Sequence, residues 1–334
     1  ANNHPGVLAC FHGLGIGFEC VSAGELDHIL GLFPGLPGER ILFTPNFAPR
    51  EEYRRALELG AHVTVDSLHP LRDWPEVFAG RDVFLRLDPG HGRGHHAHVR
   101  TAGAQSKFGI SPEEVEQAAA LAVEHGARVV GLHAHAGSGI RVAEAWAETA
   151  RFLAAAAPLF PHLRALDLGG GLGVPERPGQ PPLDLDVLAG TLRAFRREHP
   201  GLELWLEPGR YLVAQAGVLL ARVVQIKRKG EATYVGLETG MNSLIRPALY
   251  GSYHPIYNLS RLGEAPSQTV HVVGPICETG DVLGRSRRIA PAAEGDVLLI
   301  ANAGAYGRVM SSRYNLREPA AERLLPPRPW TEKP

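Results

Sequence analysis

Arg164-Ala165-Leu166-Asp167-Leu168-Gly169-Gly170-Gly171-Leu172-Gly173 decides how this chain is read. An apolar run of this length predicts a buried strand, and it stops in consecutive glycines. Glycine has no Cβ to block the approach to its backbone N–H, so such a strand end can hold an anion. Two more strand-like runs stop in the same way, at His133-Ala134-His135-Ala136-Gly137-Ser138-Gly139 and at Glu207-Pro208-Gly209-Arg210. Three unrelated tight turns are the plain alternative. Ends that meet around one phosphorylated small molecule explain all three at once.

Working outward, strand and helix patterns alternate. Strands are expected at 18–22, 41–44, 62–66, 83–87, 128–135, 163–168 and 202–206. Helices are expected at 23–33 with Ser22 as N-cap, 50–59, 111–125, 143–156 and 184–197 with Asp184 as N-cap. Ser111-Pro112-Glu113-Glu114 places a cap, a proline at the first helical position and acids in the first turn. Strands alternating with helices imply parallel βα units. Seven strands without a dinucleotide-type switch fit a (β/α)8 barrel lacking its first strand. In such barrels the working residues stand at the carboxyl ends of strands. Beyond Tyr211 helical periodicity fades and strand-like runs dominate. The expected division is a barrel over 1–211 and a mostly β domain over 212–334.

Bulk properties narrow the class. The 334 residues are 44% hydrophobic and 21% charged, with a net charge of −1. This gives no electrostatic case for nucleic acid or an anionic membrane surface. No apolar run approaches the ~20 residues of a membrane span, and no secretory signal opens the chain. Three widely spaced cysteines, Cys10, Cys20 and Cys277, argue against a disulfide framework. A cytoplasmic location is expected. The His-rich stretch from His91 to His98 invites a metal, but a glycine-rich loop holds imidazoles too loosely for a closed site. No metal is expected.

Together these motifs resemble the fold-type III, pyridoxal-phosphate-dependent amino-acid decarboxylases. The matching residues are Gly131 to Ser138, Asp167 to Gly171, Glu207 to Arg210, Gly274-Pro275-Ile276-Cys277-Glu278-Thr279-Gly280-Asp281 and Asn302 to Gly307. Ser106 to Ile110 and Arg246 to Tyr250 match as well. The resemblance implies an alanine-racemase-like barrel followed by a β domain, with pyridoxal 5′-phosphate as cofactor. It implies Glu207 at the pyridine nitrogen and His135 on the ring face. Ser138, Gly169, Gly170, Gly171, Gly209, Arg210 and Tyr306 are implied at the phosphate. Cys277 is the expected proton donor to Cα, in a loop that enters the partner's site of a homodimer. Arg210, Arg246, Tyr250, Glu278 and Tyr306 are the expected substrate contacts. His133 faces the same way as His135 and is read as core or as standing behind the cofactor.

The Cys-Glu pair and the arginines imply meso-2,6-diaminopimelate as substrate, giving L-lysine and CO2. Thr279 stands where the family usually has serine, and keeps the hydroxyl. A same-fold decarboxylase of ornithine, arginine or a carboxylated siderophore precursor is the alternative enzyme; a racemase fits the Cys-Glu motif less well. One departure bears on activity. The family's Schiff-base lysine directly precedes an Ala-Asn pair, and the sequence begins Ala1-Asn2. Lys107, Lys227, Lys229 and Lys333, the four lysines of the chain, do not match that position. A residue ahead of Ala1 is expected to supply it. An inactive regulatory homologue is the reading in which it is truly absent.

Overall fold

The computed structural model describes residues 1–90, the backbone of 93–94, and residues 106–325. Most of the His-rich stretch 91–98 therefore lies outside the described residues. Two compact units are present. One comprises Phe11–Pro175 with Gly179–Leu212. The other comprises Val213–Pro334 with Ala1–Cys10 and Glu176–Pro178. Helix α1 (Pro5–Gly13), which the sequence pattern did not announce, precedes the first strand.

The first unit alternates β1 (Phe18–Cys20), α2 (Ala23–Leu32), β2 (Ile41–Phe43), α3 (Arg50–Glu58), β3 (His62–Val65), α4 (Leu68–Asp73), α5 (Pro75–Phe78) and β4 (Asp82–Arg86). It continues through β5 (Arg93–Gly94), α6 (Val115–Glu124), β6 (Arg128–His133), β7 (Gly137–Ser138), α7 (Glu144–Ala156), β8 (Ala165–Asp167), α8 (Leu185–Glu198), β9 (Glu203–Trp205) and α9 (Gly209–Val213). Seven strands form one sheet in the order β1-β2-β3-β4-β6-β8-β9, and every neighbouring pair is parallel. Parallel strands need crossover connections, which the helices supply. This is the alanine-racemase-like barrel arrangement with seven of its strands. Local chemistry sets the helix starts. Ser22 Oγ accepts the Glu25 N–H at 3.3 Å, and Asp184 Oδ1 accepts the N–H groups of Asp186 and Val187, both at 3.0 Å. Ser111 and Glu114 close a capping box, although the first turn there is 3-10 and α6 proper begins at Val115.

The second unit carries β10 (Leu219–Lys229), β11 (Ala232–Leu237), α10 (Arg246–Tyr250), β12 (Ile256–Asn258), β13 (Gln268–Val273), β14 (Val282–Ile289) and β15 (Val297–Ile300). Their sheet order is β12-β15-β10-β11-β13-β14, antiparallel except for β11 against β13. Alternation in β10 buries Leu219, Ala221 and Val223, which join Val235, Leu237, Val270, Val272, Leu298 and Ile300 in one core. Among the described residues no helix is long and apolar enough to cross a membrane.

Candidate active site

The register of the parallel sheet builds the site. Arg86 pairs with His133, and His133 with Asp167, at the carboxyl ends of β4, β6 and β8. Residues abreast in a parallel register share one face of the sheet. A layer of Phe84, Val130, Ala165 and the partly buried Trp205 packs below them. Apolar strand bodies thus end in a row of charge.

Beyond that row the three glycine-containing ends interlock. The Gly170 N–H donates to His135 Nδ1 at 3.1 Å, the Glu207 N–H to the Gly169 carbonyl at 3.0 Å, and the Ile140 N–H to the Gly171 carbonyl at 2.9 Å. The Gly169 N–H donates to Asp167 Oδ1 at 2.9 Å. Gly169 and Gly171 have φ of +66° and +90°, a region that costs an L side chain strain. A Cβ on Gly169 would stand 2.8 Å from both the Ala134 oxygen and His135 Nδ1. The glycines are therefore required by close approach of neighbouring strand ends as well as by backbone freedom. Ser138 Oγ accepts from Arg210 at 2.9 Å, so two expected phosphate contacts already touch. Gly209 opens the short α9, its N–H donating to the Glu207 carbonyl at 2.7 Å.

Electrostatics mark the same place. Burial pushes the His133 imidazole down to about 4 and that of His135, aided by Arg86, down to about 3. His135 is then neutral with a bare Nδ1, as its bond from Gly170 requires. Burial pushes Glu207 and Asp167 up to about 8; Glu19 adds to the shift of Glu207, and Glu207 to that of Asp167. Atoms of His133, Asp167 and Glu207 all lie within 4.8 Å of one another. His133 Nε2 is 3.5 Å from Glu207 Oε1, which has no hydrogen-bond partner although its side chain is 15% exposed. A buried acceptor oxygen left unsatisfied within the protein suits the protonated nitrogen of a pyridine ring. The residues present fit the expected cofactor.

The remaining predicted residues belong to the other unit. Arg246, at the start of α10, is buried and donates to Ser252 Oγ at 3.1 Å; Tyr250 ends the same helix, half-buried. Cys277 and Glu278 are exposed. The Cys277 N–H donates to Asn315 Oδ1 at 2.8 Å, and Glu278 accepts the Tyr314 hydroxyl at 2.7 Å. Tyr306 has φ +54°, and its N–H donates to the Ala1 carbonyl at 2.8 Å.

Sequence reasoning did not single out Arg86, Asp66 or Glu19, nor give Asp167 a role of its own. Arg86 is buried, with its guanidinium 4.4 Å from the Phe108 ring, and Ile110 pairs with the strand it ends. Asn46 donates to the buried Asp66, and Thr44 to Glu19. The overlooked signal is that strand after strand runs out into a titratable side chain: Thr-Val-Asp, Phe-Leu-Arg, Gly-Leu-His, Ala-Leu-Asp.

A parallel barrel with a buried carboxylate, a neutral imidazole and a glycine turn at its strand ends defines an enzyme that works through a phosphorylated ring cofactor. The family model for the pyridoxal binding domain of pyridoxal-dependent decarboxylases matches residues 1–214. The chain belongs to this family, whose cofactor is pyridoxal phosphate. It is 38% identical over 337 residues to the diaminopimelate decarboxylase of Methanothermobacter thermautotrophicus, covering 97% of this chain and 78% of that one. A crystal structure of a diaminopimelate decarboxylase superposes with a TM-score of 0.87 at 33% identity, covering 95% of this chain and 80% of the other. The Helicobacter pylori enzyme of that name, complexed with L-lysine, gives a TM-score of 0.84 at 28% identity, covering 94% and 80%.

Proposed function

We propose that this protein removes CO2 from meso-2,6-diaminopimelate to give L-lysine. The observation that carries the chemistry is the unsatisfied Glu207 carboxylate beside the interlocked glycine turn. The substrate rests on the likeness to diaminopimelate decarboxylases over nearly the whole chain. When bound, pyridoxal phosphate supplies the electron sink for the decarboxylation. The barrel expected over 1–211 binds it, through the unit of Phe11–Pro175 with Gly179–Leu212. Glu207 holds a proton at the ring nitrogen, and His135 offers a neutral face to the ring. Gly171 and Ser138, with Arg210 already on the Ser138 hydroxyl, take the phosphate; Gly169 and Gly170 shape the turn, and Gly209 and Tyr306 complete it. Cys277 holds the proton that is delivered to Cα once CO2 has left.

The substrate's distal carboxylate calls for arginine, whose fork matches it. Arg210 and Arg246 take that role with Tyr250 and Tyr306, while Glu278 meets the distal ammonium. The Cys277 loop serves the partner's site in a homodimer. CO2 release by the full-length protein, supplied with pyridoxal phosphate, tests the reading. Release from meso-diaminopimelate well above that from ornithine, arginine or lysine is expected, and no release from it refutes the proposal. Mixing Cys277→Ala with Glu207→Gln chains should restore part of the activity if two chains share each site.

A further inference from the structure

We propose that Asp167 is a positioning residue that acts through Glu207: it keeps the one proton the two carboxyls share and donates it, so that Glu207 stays ionised toward the cofactor's ring nitrogen. The inference rests on the reading of Glu207 given above. Asp167 is wholly buried, and its Oδ1 is occupied by the Gly169 N–H. Its Oδ2 has no other partner and lies in the cluster with Glu207 and His133.

Two carboxylates this close, away from water, do not both ionise. The groups facing them decide which one keeps the proton. Glu19 from β1 and Asp66 after β3 add negative charge, and Arg86 on β4 adds positive charge, with Lys107 acting on Asp66. His133 and His135 on β6 and just beyond are held neutral by burial, so neither offsets a second anion. Glu207 is the partly exposed member of the pair and feels Arg86; Asp167 has no access to water. The proton therefore resides on Asp167, whose free oxygen points into the cluster.

The asparagine variant separates this from a merely structural role. In Asp167→Asn the oxygen still accepts from Gly169 and the amide donates to Glu207, with nothing left to ionise. Infrared difference spectra of the protein without added cofactor should show a protonated-carboxyl C=O band that fades as pH passes about 8. The component that titrates near 8 should be missing from Asp167→Asn. The asparagine variant should bind pyridoxal phosphate within about threefold of wild type, while Asp167→Ala should lose about ten- to a hundredfold, the worth of a hydrogen bond to a charged group. That component persisting in Asp167→Asn, or asparagine and alanine variants equally impaired in binding, overturns the proposal. So does a divalent ion that stays with the cluster through dialysis in place of the proton. Glu207→Gln tests the underlying reading separately: unchanged pyridoxal phosphate affinity there removes Glu207 from the ring nitrogen, whatever the infrared band shows.

Discussion

Replacing Gly169 by alanine perturbs the point where three strand ends lock together. The new methyl carbon would stand 2.8 Å from the Ala134 oxygen, 2.8 Å from His135 Nδ1 and 3.1 Å from His135 Cα. Carbon and oxygen normally meet no closer than about 3.3 Å, so the His135 segment must retreat by roughly 0.5 Å. Alanine at φ +66° adds about 1–2 kcal/mol of backbone strain, and overpacking a close-packed position costs about 1–3 kcal/mol. The sum is about 2–5 kcal/mol. In a unit of this size that lowers Tm by roughly 4–20 °C. The movement also shifts the His135 ring, so pyridoxal phosphate affinity should fall with stability. Gly190 is the control. It lies inside α8, and nothing stands within 4 Å of the place an added methyl would take, so Gly190→Ala should stabilise by about 0.5–1 kcal/mol. Differential scanning calorimetry and a cofactor titration on both variants read this directly. A Gly169→Ala protein that melts with wild type and binds the cofactor equally well refutes the close-approach reasoning.

Other outcomes follow from the same geometry. The Asp167–Glu207 pair keeps one shared proton in the fold up to about pH 8, whereas free carboxyls lose theirs near 4. The folded state holds more protons in that window, so stability must fall as pH rises through it. Below about 6.5 His133 and His135 oppose this, because their pKa values are depressed and the unfolded chain binds the extra protons there. Between about 6.5 and 8 release of the shared carboxyl proton should lower stability in urea titrations by up to about 1.4 kcal/mol per pH unit. Asp167→Asn should flatten that slope. Cys277→Ala should cut turnover by about 10²- to 10⁴-fold while leaving stability within about 0.5 kcal/mol, since the thiol is exposed. Leu153→Ala, in the fully buried face of α7, should cost about 2–5 kcal/mol by thermal unfolding and leave the cofactor site's chemistry unchanged in the surviving fold.

The parts of this molecule that were legible in its sequence have local signatures. Apolar runs, caps such as Ser22 and Asp184, and glycines at strand ends all speak within a few residues. The seven parallel strands and the meeting of His135, Gly169 to Gly171 and Glu207 follow from them. Asp167 and Arg86 were not legible as a pair because only the register of β4, β6 and β8 sets them on either side of His133, far apart along the chain. Helices α4 and α5 hid behind Pro70 and Pro75, which read as breakers; one is buried in its helix and the other takes a first-turn position where no N–H is needed. In β14 the alternation is broken by register shifts in its pairing with β13 and by Ser286 at φ +49°, so its sequence does not show period two.

The central claim is that Glu207 and the glycine turn grip opposite ends of one ring cofactor. A crystal structure of the protein soaked with pyridoxal phosphate tests it without turnover. The expected result is a Glu207 oxygen about 2.6–3.0 Å from the pyridine nitrogen, with the phosphate against Gly171 and Ser138. A cofactor seated with its phosphate at Glu207, or bound away from both, contradicts it.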